Sequence, residues 1–232
     1  MTVQLVTGIL LILVPIAFNA AFFELGRAFD YPDILRREPD EILRRFAAGG
    51  SGLLLRWQLL LWSALALLAV VALLPVALGA PPELASLSIV FGVSAALVQA
   101  LGLARWPFAV PELARRYLAA DGPDADAERG EVTIVFLALH RLFGVAIGEH
   151  LGYLLTGAWT LAVSGMILAT TVLPFWLGIV GIVIGIALLI GTLEFVGSNE
   201  EHGWPLAGTI VPIAYIAWSL WLIVQGVLLN IS

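Results

Sequence analysis

The chain has 232 residues, 61% of them hydrophobic and 12% charged, with a mean hydropathy of +1.02. A soluble domain is about 45–50% apolar and roughly 25% charged, so this composition excludes an ordinary soluble protein and points to the bilayer. The net charge of −6 argues against nucleic acid as a partner, because phosphate binding needs a basic surface, and the absence of Cys excludes disulfides and thiolate metal sites.

The hydropathy pattern predicts an all-α polytopic membrane bundle with six transmembrane helices and short interfacial helices, forming one domain over residues 1–232. The first apolar run, residues 3–23, lacks a positive leading region and ends at Glu24 rather than at a small-residue cleavage site. It reads as a retained span, with a kink expected at Pro15. Glu24 and Arg27 follow, three apart on one helix face. Residues 29–50 contain a near-repeat, PDILRR at 32–37 and PDEILRR at 39–45. In each copy Pro opens a helix, acids come early and Arg late, as the helix dipole prefers. Two short helices at the membrane surface are expected, with Ile34, Leu35, Ile42, Leu43 and Phe46 facing headgroups or the bundle.

Residues 52–78 form the second predicted span and residues 84–107 the third, with Gln99 inside it and Arg105-Trp106-Pro107 closing it. A surface helix over 108–120 and an acidic loop over 121–126 lead to a 42-residue stretch, 131–172, too long for one perpendicular crossing. The crossing is placed at 148–173, which leaves 132–147 as a helical lead-in that protrudes or turns along the interface. The fifth span is placed at 174–193 and the sixth at 206–229, joined by a loop with Glu200, Glu201 and His202. All eleven basic residues are Arg, which reads as the codon bias of a GC-rich prokaryote. Apart from Arg141 they lie on loops one and three or at the span ends beside them, so the positive-inside rule predicts a plasma-membrane protein with both termini extracytoplasmic.

With that orientation, five spans place ionisable groups at one depth on the cytoplasmic side: Glu24, Arg56, Arg105, Glu149 with His150, and Glu194, with His140 and Arg141 nearby. A ring of mixed charge can neutralise itself, which makes burial tolerable. The alternative is that Arg56 and Arg105 snorkel separately to the headgroups beside Trp57 and Trp106. The ring reading predicts Glu149 within salt-bridge reach of Arg56 or Arg105, and His150 facing protein. It further predicts that Glu149→Gln lowers stability and that a second change at either Arg restores part of it.

On span four, Glu149, Tyr153, Thr156 and Thr160 share one helical face. The stripe reads either as the wall of a pocket or as interhelical hydrogen bonding. Gly144, Gly148 and Gly152, and Gly181 and Gly185, recur every four residues, a spacing that lets helices approach within a chain or across a homodimer. No cofactor or metal is expected. His140 and His150 stand about 80° apart in helical phase, so one helix cannot present both to a single ion; no Ser or Thr has a recognisable nucleophile context, and no Asp lies within a span.

Three segments carry a resemblance: FDYPDILR at 29–36, VQALGLARWPF at 98–108, and His140 through Thr160. Together they resemble a prokaryotic membrane-protein family, domain-of-unknown-function family 4386, over nearly the whole chain. The resemblance implies a single multi-helix membrane domain and carries over no site residue. The leading expectation is a bundle that binds or moves a small-molecule ligand through a polar pocket on the cytoplasmic side. The alternatives are a non-catalytic scaffold or regulatory membrane protein and, third, an intramembrane enzyme or haem protein. The missing inverted repeat of many transporters weighs against the first.

Overall fold

The computed structural model describes residues 2–231, apart from the side chains of Glu200 and Glu201. Six helical stretches among the described residues are long and apolar enough to cross a membrane: Val3–Phe29, Pro39–Leu78, Pro82–Ala119, Ala125–Ala169, Phe175–Phe195 and Pro205–Ile231. The protein is an all-α membrane bundle, as its hydropathy predicts.

Helix α1 (Val3–Phe29) begins where the Thr2 hydroxyl accepts from the Leu5 N–H at 3.2 Å, and ends at Asp30, which adopts the left-handed conformation. It runs unbroken through Pro15, so the expected kink does not interrupt the helix. The first copy of the Pro-Asp repeat makes only a single 3-10 turn, Asp33–Arg36, with Ile34 fully buried. The second copy opens α2 (Pro39–Leu78), a 40-residue helix that carries both the surface segment and the span. The two parts meet at Gly50, whose φ of 53° and ψ of −150° bend the chain from the surface into the bundle. Ile42, Leu43 and Phe46 are buried against the bundle rather than turned to lipid.

Helix α3 (Pro82–Phe108) continues after one bent residue into α4 (Val110–Ala119), the surface helix. Helix α5 (Ala125–Leu139) then runs without a break into a π-helical segment, His140–Leu151, and on into α6 (Gly152–Ala169). At about 1.5 Å per residue, these 45 residues are roughly twice as long as the hydrocarbon core is thick. The extra length is therefore continuous in helix with the span, not set off from it by a loop. Helices α7 (Phe175–Gly191), α8 (Ser198–His202) and α9 (Pro205–Ile231) complete the chain.

The long helices pack in chain order and close on themselves. Helix α1 lies against α2, α2 against α3, α3 against α6, α6 against α7, α7 against α9, and α9 returns to α1. Close approach depends on glycines. A Cβ on Gly102 of α3 would lie 2.6 Å from the Gly148 Cα, one on Gly157 of α6 2.9 Å from the Gly185 carbonyl of α7, and one on Gly226 of α9 2.5 Å from the Gly8 carbonyl of α1. Gly148 and Gly185, two members of the four-residue spacing, are thus used between helices of one chain.

Two apolar clusters fill the ring. One gathers Leu11, Val71, Trp159, Met166 and Trp221. The other gathers Phe29, Ile34, Phe46, Trp57, Trp106 and Tyr117, where the surface elements cap the bundle. In the second, the Trp57 and Trp106 rings stack at 4.5 Å and 8°, while Phe29 meets both edge-on. This rigid aromatic block holds the residue next to it, Arg105.

Candidate functional site

Arg105 is the most buried cation of the chain, only 9% exposed. It lies at the C-terminal turn of α3, with its guanidinium 5.2 Å from the Trp106 ring centroid and one N–H donated to the Gly102 carbonyl one turn back. No carboxylate among the described residues comes within 4.0 Å of it. A guanidinium has five N–H donors, so most of its capacity is uncommitted.

The π-helical segment faces it. Gly144 meets the guanidinium directly, since a Cβ there would sit 2.8 Å from Nη2. His140 and Glu149 both lie within electrostatic range of Arg105. In an α-helix nine residues turn through half a revolution too many, which would put His140 and Glu149 on opposite faces. With i→i+5 bonding a turn takes roughly 4.4 residues, so nine residues make about two full turns and the two side chains share a face. The wider helix thus aligns His140, Gly144 and Glu149 toward one cation.

Glu149 is half-buried and makes no hydrogen bond or ion pair among the described residues. The expected salt bridge to Arg56 or Arg105 is therefore not formed: neither comes within 4.0 Å. Arg105, Glu194 and Arg36 are the charges that Glu149 feels. Around it stand three half-buried tyrosines, Tyr31, Tyr153 and Tyr215. The Tyr153 ring meets Tyr215 and Phe195, each at 5.4 Å, and Tyr215 in turn meets Trp218. Tyr31 lies edge-on to Trp57 at 5.0 Å. It sits on the loop after α1, where burial and then the Glu149 carboxylate push its hydroxyl up to about 12, with Arg105 pulling the other way.

The arrangement is graded. Arg105 is the deepest charge, Glu149 and the tyrosines are half-buried, Glu194 is half-buried beyond them, and Arg36 is exposed. Among the described residues, the Glu149 carboxylate and the Tyr31 and Tyr153 hydroxyls have no partner, yet none of these oxygens is sealed in. Farther along α6 the polar stripe is satisfied. Gln99 donates to Thr156 at 2.8 Å, Trp218 donates to Thr160 at 2.9 Å, and Thr160 and Ser164 each bond a carbonyl one turn back. The stripe divides into an open half at Glu149 and Tyr153 and a half that ties α6 to α3 and α9.

The other sequence candidates fall elsewhere. Glu24 pairs with Arg56 at 3.6 Å and with Arg27 at 3.9 Å, on partly exposed side chains between α1 and α2. Such pairs are worth little. They do not join Arg105 and Glu149. His150 faces protein: its Nδ1 lies 3.1 Å from the Thr192 carbonyl and its ring meets Phe195 at 6.2 Å. His140 stacks on Phe136. A separate shallow depression of about 270 Å³ is lined by Arg141, Val145, Ala146, His150, Phe195 and Gly197. Tyr31, Arg36 and Tyr215 were not singled out by sequence reasoning. Tyr31 and Arg36 lie within the FDYPDILR segment, where a surface helix is expected only from Pro32 onward. Among the described residues no three of His, Asp and Glu gather as metal ligands do.

A family model described as a domain of unknown function (DUF4386) matches residues 6–226, nearly the whole chain, and the chain belongs to that family. No curated protein and no solved structure matches it.

Proposed function

We propose that this member of the family binds a small solute, or moves it across the plasma membrane, through the polar pocket bounded by Arg105, Glu149, Tyr31, Tyr153 and Tyr215. The observation that carries the reading is Arg105. A cation this deep in a membrane bundle is costly unless it is paired, and no carboxylate pairs with it. The nearby carboxylate of Glu149 is equally unpaired, so the two charges are not joined in a bridge. Pockets between bundle helices take small molecules when a few polar groups converge in an aromatic surround, as here. The distribution of Arg orients the mouth, marked by Arg36 and Glu194, toward the cytoplasm and both termini away from it.

The second reading, a scaffold whose polar groups are structural glue, draws on the Gln99–Thr156 and Trp218–Thr160 bonds, which are fully used between helices. It leaves Arg105 and Glu149 without a purpose. The test is an experimental density map of the protein purified in lipid nanodiscs. The pocket reading expects a small-molecule or ordered-water feature between the Arg105 guanidinium and the Glu149 carboxylate. A direct bridge between the two, with no intervening density, would favour the scaffold.

A further inference from the structure

Given a pocket at this place, we infer that its occupant is a small zwitterion, with its anionic end on Arg105 and its cationic end on Glu149 among the tyrosine rings. The inference rests on the pocket reading and adds the class of solute. The pocket's two deepest charges are one cation and one anion, and they do not touch. A simple anion placed on Arg105 would satisfy the guanidinium but stand beside the Glu149 carboxylate in a medium of low dielectric. A simple cation placed on Glu149 would meet the opposite difficulty at Arg105. A molecule that carries both charges neutralises both groups at once and leaves the site with no net charge.

The walls fit each end. Arg105 offers a planar fork of donors suited to a carboxylate, and its guanidinium lies over the Trp106 ring at 5.2 Å from the centroid. Gly144 lets the guanidinium pack against the π-helical segment, because a Cβ at that position would lie 2.8 Å from Nη2. At the other end Tyr153 and Tyr215 stand edge to face at 5.4 Å, and Tyr31 lies within electrostatic range of both and of Glu149. Tyrosine faces around a carboxylate attract an ammonium or quaternary ammonium through their ring quadrupoles. The unpartnered Tyr31 and Tyr153 hydroxyls are available to orient the middle of the molecule.

The test is thermal unfolding of the full chain in detergent, with a panel of millimolar probes: the twenty common amino acids, glycine betaine, propionate and ethylammonium. At least one zwitterion should raise the melting temperature, by about 5 °C or more at a hundredfold excess over its dissociation constant. Propionate and ethylammonium should not. The shift should vanish in Arg105→Gln and in Glu149→Gln. Should either variant fail to fold, Tyr153→Phe is to be used, and there the shift should persist at reduced size. Stabilisation by propionate to the same extent as by the best zwitterion would overturn the zwitterion assignment and leave the pocket standing as an anion site. A response to no probe, or a zwitterion shift that survives both charge-removing variants, would also overturn it. The density test of the pocket is unaffected by any of these results.

Discussion

Among single residues, Glu149 is where sequence and structure diverge most informatively. Its depth in the bundle suggested a salt bridge, and hence a loss of stability on removing the charge. The absence of an ion pair reverses that expectation. A half-buried carboxylate without a partner destabilises the fold in its charged form, so Glu149→Gln is predicted to leave the melting temperature unchanged or to raise it while abolishing ligand response. Adding Arg105→Gln should lower stability through loss of the Trp106 contact, with no recovery. A clear drop in Glu149→Gln that is partly restored in the double variant would show the two groups to be paired after all. The sequence gives the depth of a charge along its helix but not its azimuth. That is why Glu24 and Arg56, expected at the same depth as Arg105, pair with each other on the α1–α2 face.

Among elements, the π-helical segment decides the site. Its hydropathy resembles that of α5 before it, so nothing in apolar periodicity announces i→i+5 bonding. Read at the α-helical period, His140 and Glu149 diverge. The segment also needs close approach to α3, where Gly102 and Gly148 meet backbone to backbone. Gly102→Val is therefore predicted to destabilise the protein by about 3 kcal/mol, the upper end for overpacking, because backbone rather than a flexible side chain must yield. Gly130→Ala, on the open face of α5 with nothing near its Cβ position, should be neutral or stabilising by up to about 1 kcal/mol. Thermal unfolding of both variants side by side checks the pair, and an equal effect at the two positions would contradict the packing account. The spans themselves were legible because each is a long apolar run. The Pro-Asp repeat was legible only in its second copy. In the first, the fully buried Ile34 and a single 3-10 turn replace the helix and bring Arg36 and Tyr31 within electrostatic range of Glu149. No periodicity extends over so few residues.

At the scale of the whole molecule, the six long helices close a ring in chain order, and charge is distributed unevenly along its axis. The apolar cluster around Trp159 draws on all six long helices and is tied by buried hydrogen bonds. The end capped by the Pro39 helix and α4 carries the Arg-rich elements and the open polar groups. The central claim is that this end holds a water-accessible pocket entered from the Arg-rich side. The chain contains no Cys, so Tyr153→Cys introduces a single thiol inside the pocket. The most direct test is labelling of that thiol by a membrane-impermeant thiol reagent in inverted and in right-side-out vesicles. The account predicts labelling in inverted vesicles, slowed by any zwitterion that stabilises the protein, and none in right-side-out vesicles. Labelling only from the opposite side, or none from either side while the denatured protein reacts, would contradict it.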